Sequence, residues 1–185
     1  MAATFAWQED TGAATGSPAK GTTRTNPATD ANWKNSGVVT DVYSDYPITA
    51  GNNGFQKALF GVFAIDTFNE ISAGLFAHTA TAFGSNLTLK GIKAMTADAD
   101  RWLYVTPSAA ADANLTVDMT TAIAIASGVA VWFGATGPEA TGKAATMDGT
   151  ADRYTTFLTT QLQTAVGAAA GDCAQITLSL QYSEN

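Results

Sequence analysis

His78 and Cys173 are the only imidazole and the only thiol in the chain, and they bound the chemistry that its side chains can build. A hydrolase of the serine or cysteine type needs a nucleophile, a base that titrates near neutrality and a group to orient it, so any such site would have to centre on His78. His78 stands in Leu75-Phe76-Ala77-His78-Thr79, a strand-like context in which a histidine reads as structural. One thiol and one imidazole do not make a zinc ligand set, and a lone cysteine forms no intramolecular disulfide. Cys173 reads as a small core or strand-start residue.

The carboxylates say little more. Glu70, Glu139 and Glu184 carry no spacing that points to the paired acids of a glycosidase. Asp98/Asp100 in Thr96-Ala97-Asp98-Ala99-Asp100 and Asp148/Asp152 in Asp148-Gly149-Thr150-Ala151-Asp152 share the oxygen-rich character of calcium loops. Neither has the full ligand spacing closed by a bidentate glutamate, so both read as turn acids. Gly134-Ala135-Thr136-Gly137 and Thr141-Gly142-Lys143 lack the glycine–lysine spacing that cradles phosphate ahead of a helix. Trp7, Trp33, Trp102 and Trp132 are candidates by type for a carbohydrate platform, although Trp102 and Trp132 lie in strand-like runs where tryptophan serves core or interface. No residue is assigned a catalytic, cofactor-binding or metal-binding role, and no cofactor is expected.

Composition points the same way. Charged residues make up 14% of the 185 positions against about 25% in ordinary soluble domains, while the hydrophobic share of 46% is normal. A polar, weakly charged surface suits a protein that works packed against neighbours. The net charge of −7, with nine scattered Lys and Arg, argues against a nucleic-acid partner, because phosphate binding needs clustered cations. The first residues lack the basic and apolar regions of a secretory signal, and no run approaches the roughly 20 apolar residues of a membrane span, so no membrane partner is expected and synthesis in a cytosol is. Asn86-Leu87-Thr88 and Asn114-Leu115-Thr116 therefore read as turns entering strands rather than glycosylation sites.

The elements that must carry these residues are strands. Ile176, Leu178, Leu180 and Tyr182 alternate with Thr177, Ser179, Gln181 and Ser183 up to the last residues, the period of a half-buried strand. Residues 4 to 9 form an opening strand through Phe5 and Trp7, followed by a Gly-, Thr-, Asn- and Pro-rich arm over 11–36. Trp33 is that arm's natural anchor, on a neighbour or on its own domain's core edge. Val38 to Tyr46 alternates ahead of a turn over Pro47 to Gly54. Phe55 to Asp66 is apolar on both faces and should lie centrally. Strands are also predicted over 70–80, 87–95, 101–106, 115–127, 129–135 and 154–166, with Tyr154, Leu158, Leu162 and Val166 sharing one face and a bulge at Gly91. Ala-rich 164–172 is a loop, not a helix. The expected fold is all-β: a single-domain antiparallel β-sandwich, jelly-roll-like, with 1–37 as N-terminal strand and irregular arm and 38–185 as the sandwich domain.

Two stretches carry a resemblance. Tyr46-Pro47-Ile48-Thr49-Ala50-Gly51-Asn52-Asn53-Gly54-Phe55-Gln56-Lys57 and Leu178-Ser179-Leu180-Gln181-Tyr182-Ser183-Glu184-Asn185 are similar to segments of small tailed-bacteriophage virion proteins, which carry an "ITAGNNS" turn before an aromatic-acid-lysine strand and end in a "QYDE" strand. Phe55-Gln56-Lys57-Ala58 departs from the aromatic-Glu-Lys-Trp pattern, and Ser183 stands where Asp is common. The resemblance implies a non-enzymatic virion structural protein, preferentially a capsid decoration (cement) protein on the capsid exterior. Its partners would be the major capsid protein and itself, as a homotrimer. A tail, baseplate or fibre component is the alternative within virions, and a glycan-binding sandwich the alternative outside them. The expected partner contacts are Trp33, Asn52 and Asn53.

Overall fold

The computed structural model describes residues 3–10, 24–25, 33–38, 41–79, 84–91, 109–111, 115, 117–119, 122, 129–135, 144–169 and 176–185. The predicted strand over 101–106, Trp102, Cys173, Asp98, Asp100, Asn114, Glu139, Lys143 and most of the arm lie outside these residues. Among the described residues the chain forms strands and no helix: β1 (Phe5–Asp10), β2 (Arg24–Thr25), β3 (Lys57–Phe63), β4 (Glu70–His78), β5 (Leu87–Gly91), β6 (Val117–Asp118), β7 (Val129–Ala130), β8 (Phe133–Gly134), β9 (Thr146–Asp148), β10 (Arg153–Thr155), β11 (Leu158–Thr164) and β12 (Leu178–Glu184).

They make two antiparallel sheets. The larger runs β2-β1-β3-β11-β5-β6, with β10 beside β3 and β8 beside β10; the smaller runs β12-β4-β7, with β9 also on β4. β3 is central, as its two apolar faces require, with β1 along one edge and β10 and β11 end to end along the other. β1 pairs with β3 from Phe5↔Phe63 to Asp10↔Ala58, so the opening strand is a full member of the large sheet.

The core lies between the sheets. Phe63, with no exposed surface, meets Phe5 (5.0 Å between ring centroids), Phe133 (5.8 Å) and Phe68 (6.0 Å), and Tyr182 of the small sheet stands edge-on at 4.7 Å. Ile71 of the small sheet closes this cluster. A second cluster sets Phe76 of β4 against Leu89 and Leu162 of the large sheet and Met119. On the outer face of the large sheet, Phe60 and Phe157 pack edge-to-face at 5.7 Å beside Ala58. The fold is therefore an all-β, sandwich-like arrangement.

Two local expectations change. Tyr154 does not share a face with Leu158 and Leu162: the run breaks at Thr156–Phe157, so Tyr154 opposes Val62 and stacks near Phe60 outside, whereas Leu158 opposes Leu59 inside. The extra residue turns Phe157 outward onto Phe60 and shifts the pleat by one. Val129 to Ala135 is not one strand, because β7 belongs to the small sheet and β8 to the large one, and the chain crosses at Val131, whose N–H donates to the Gly74 carbonyl (2.8 Å). Pairing runs in register up to Gly91, opposite Thr160 and Val117, and the residues beyond it on which a bulge there would show lie outside the described ones; a bulge is seen in β4, where Ala73 and Gly74 together oppose Tyr182. Ala73 takes a φ of 51° there, and the bulge lets Ile71 and Phe76, of opposite parity, both face the core.

Candidate functional site

The segment 33–54 links β1's end of the sandwich to β3 and forms a compact loop whose ends meet: Asn35 N–H donates to the Tyr46 carbonyl at 2.8 Å. Among the described residues of Val38 to Tyr46, for all the alternation of that run, none is paired in either sheet. Asp41 N–H donates to Val38 O (3.2 Å) and Asp45 N–H to Val42 O (3.1 Å), so successive turns replace the extended chain. The foot of the loop is polar and buried. Lys34 is 3% exposed and its Nζ donates to the Asp41 carbonyl; Ser36 Oγ donates to Asp41 Oδ2 and accepts from Val38 N–H at 3.0 Å. Burial, and then the neighbouring Lys57 charge, lower the Lys34 pKa, with Asp41 and Glu9 opposing the shift. Beneath it, Lys57 Nζ pairs with Glu9 Oε1 at 2.9 Å, both side chains buried.

With Lys34, Ser36 and Asp41 bonded to one another at its foot, the loop presents apolar side chains to solvent beside the exposed Ser44 and Asp45. Val38, Val42, Tyr43 and Tyr46 are between 42% and 56% exposed. The following turn is fixed to the end of β11: Asn52 O accepts from Thr164 Oγ1 (2.6 Å), Gly54 N–H donates to Leu162 O (2.8 Å), and Asn53 bridges Gln163. Gly51, at a φ of 84°, lies directly under Val166, which is 89% exposed. Five of the six exposed large apolar side chains among the described residues thus sit on two adjoining loops at one end of the sandwich. The sixth, Ile65, follows the opposite end of β3.

The three residues expected to touch a partner lie at or near this end. Asn52 is exposed on the turn and Asn53 is half-buried. Trp33 packs against the core cluster of Phe76, Leu89, Met119 and Leu162, and its indole N–H donates to Thr160 Oγ1 at 3.1 Å. Its own domain therefore accounts for its packing. The buried Glu9–Lys57 pair was not singled out from the sequence, although the signal exists: Phe5, Trp7 and Glu9 alternate on the inward face of β1, as Lys57, Leu59 and Phe63 do on β3.

The chemistry-bearing residues are tied into structure. His78 is buried at the end of β4, its Nδ1 3.1 Å from the Thr79 carbonyl and its ring 6.5 Å from Phe76. Glu184 Oε2 accepts from Ala3 N–H at 2.7 Å, and Glu70 Oε1 accepts from Asn185 Nδ2 at 3.3 Å, which fastens the terminal strand. Asp148 accepts from Thr150 Oγ1 (2.7 Å) and from Arg153 Nη2; the Thr150 hydroxyl and the guanidinium hold its pKa at about 2. Asp152 Oδ1 accepts from Ile65 N–H at 2.7 Å. Among the described residues no three His, Cys, Asp or Glu side chains are grouped to hold a metal. Trp7 stands edge-on to Phe5 and Phe76 in the core rather than forming a flat sugar platform.

At the end away from the loop, Asp66, Phe68, Asn69, Gly149 and Thr150 line an open cleft of about 330 Å³. Its walls are turns held by backbone bonds, Asp66 N–H to Gly149 O (3.1 Å) and Gly149 N–H to Asn69 O (3.0 Å). Phe68 is 5% exposed, so it offers a ligand little aromatic surface. Among the described residues, most of the exposed large apolar side chains lie on the two loops at the other end. Comparison with known protein families, curated proteins and solved structures finds no match to this chain.

Proposed function

We propose that the protein is a structural component of a tailed-bacteriophage virion, a capsid decoration (cement) protein that stabilises the lattice of the major capsid protein by protein–protein contact. On this reading it acts as a homotrimer on the capsid exterior after synthesis in the host cytoplasm. The observation that carries the reading is that five of the six exposed large apolar side chains among the described residues lie on two loops at one end of the two-sheet body. A protein whose work is contact needs a stiff frame and one sticky surface, and patches of this kind mark interaction sites. The two stretches that resemble virion proteins support it. The first, 46–57, forms the turn that fixes the exposed loop to β11 and enters β3; the second, 178–185, contains β12.

Copies per purified particle, measured by gel densitometry against the major capsid protein, test the reading. A decoration protein is present in fixed proportion to lattice positions. A few copies per particle would place it in the tail or baseplate, and absence from particles together with saturable glycan binding by the isolated protein would make it a glycan-binding module.

A further inference from the structure

The strands at which the described sheets end are mostly too short to be extended by another chain: β2, β6 and β7 have two residues each and β9 three. β12 is the exception. It runs seven residues, Leu178 to Glu184, carries no proline or lysine, and among the described strands pairs with β4 alone. Thr79 N–H donates to Thr177 O (3.1 Å), and Asn185 and Glu70 exchange both backbone bonds (3.0 and 3.2 Å), so the odd-numbered residues turn their N–H and C=O toward β4. The backbone groups of Leu178, Leu180, Tyr182 and Glu184 therefore point away from β4, and no described residue pairs with them. The side chains of Leu178, Leu180 and Tyr182 pack on the core clusters yet stay half-buried, whereas Leu59, Phe63 and Leu89 on inner strands are buried. Both the backbone and the apolar flank of this edge are open.

We propose that this edge is a self-pairing site: β12 of a second copy adds antiparallel to it about a two-fold axis at Gln181, joining two small sheets into one. The inference goes beyond the virion reading and does not rest on it. The strand's own sequence selects a second copy, because Ser179-Leu180-Gln181-Tyr182-Ser183 reads alike in both directions, with Leu and Tyr as the exchanged apolar pair. About that axis Ser179 meets the second copy's Ser183, Leu180 meets its Tyr182, and Gln181 meets its own counterpart, an amide that both donates and accepts. The same register sets even-numbered residues against even-numbered ones, which are those with open backbone groups; a slip of one would set them against groups already bonded to β4. The one charged residue of the strand, Glu184, then faces the second copy's Leu178 rather than another carboxylate, and its Oε2 already accepts from Ala3 N–H at 2.7 Å. A foreign strand would supply backbone bonds alone, whereas a second copy also matches the side chains on both faces.

Sedimentation and NMR-detected hydrogen exchange of the full chain over a range of concentrations test the pairing. Wild type should self-associate, and where it does the amides of Leu178, Leu180, Tyr182 and Glu184 should exchange about tenfold or more slowly than in dilute solution; those of Ser179, Gln181 and Ser183 should be protected throughout by β4. Ser179→Lys/Ser183→Lys sets lysine against lysine twice and should raise the dissociation constant about tenfold. Ser179→Lys/Ser183→Glu sets lysine against glutamate in the same register and should bring it back to the wild-type value. Circular dichroism should match wild type in both, since these side chains point away from the core; should either misfold, Gln181→Lys at the exposed axis position takes its place with the same expected weakening. A monomer at every concentration, equal weakening by both charge variants, or an oligomer in which the four amides stay unprotected overturns the proposal, and a trimer of the last kind leaves the virion reading standing. Protection of the four amides only on adding a different protein would assign the edge to a foreign strand and overturn it as well.

Discussion

Glu9 and Lys57 are two opposite charges withdrawn from water at the end of the inter-sheet space, with Lys34 close enough for its field to matter. Such a pair gains little net stability by existing, but removing one member strands the other. Glu9→Gln is expected to lower unfolding free energy by about 3 to 5 kcal/mol in urea titrations, and Glu9→Leu/Lys57→Met to recover most of that loss. Asp148 behaves differently because it is exposed and bonded. Its folded-state pKa of about 2 lies below the ordinary 3.8, so the unfolded chain binds the proton more readily. Its contribution is therefore present above pH 3.8 and is lost as pH falls towards 2. In acid titrations followed by fluorescence, Asp148→Asn should remove that part of the pH dependence while leaving the rest of the curve in place.

At the scale of elements, irregularities decide which residues face the core. The Ala73–Gly74 bulge reverses the parity of β4 and brings Phe76 inward, and the absence of a Cβ at Gly74 lets Phe133 approach: an added Cβ would stand 2.7 Å from the ring. Phe133 is fully buried, so it has no room to yield. Gly74→Ala should cost about 1 to 3 kcal/mol, the usual range for overpacking, read as a lowered thermal midpoint. The sequence places strands over 55–66, 70–80 and at the C-terminus close to where they form, since a period of two is a local property of the chain. It does not single out the bulge in β4, because nothing in the order of residues sets Gly74 apart from other strand glycines. Gly91 lies under Met119, whose Sδ fills the place of its Cβ.

The whole molecule is two sheets clamped on an aromatic centre. Phe63 is the ring through which they meet, touching Phe5 and Phe133 of the large sheet, Phe68, and Tyr182 of the small one. Phe63→Ala should cost about 3 to 5 kcal/mol. Because one cavity would open to both sheets, amide exchange in β3 and β12 should rise together; faster exchange in β3 alone would mean the sheets are stable independently. At this scale distant loops also meet: Thr164 at the end of β11 donates to the Thr49 and Asn52 carbonyls, and Val166 comes to lie over Gly51, residues far apart in sequence.

Alternation of side chains, the scarcity of imidazole, thiol and charge, and the Gly- and Asn-rich turns are written in the order of residues, and they determine an all-β chain with little material for catalysis. Which parity turns inward, which lysines end up buried, and which valines stay uncovered were decided by tertiary structure. The reason is that a strand's periodicity is set by its own backbone, whereas the face it buries and the groups left at its ends depend on partners that the chain brings from far away.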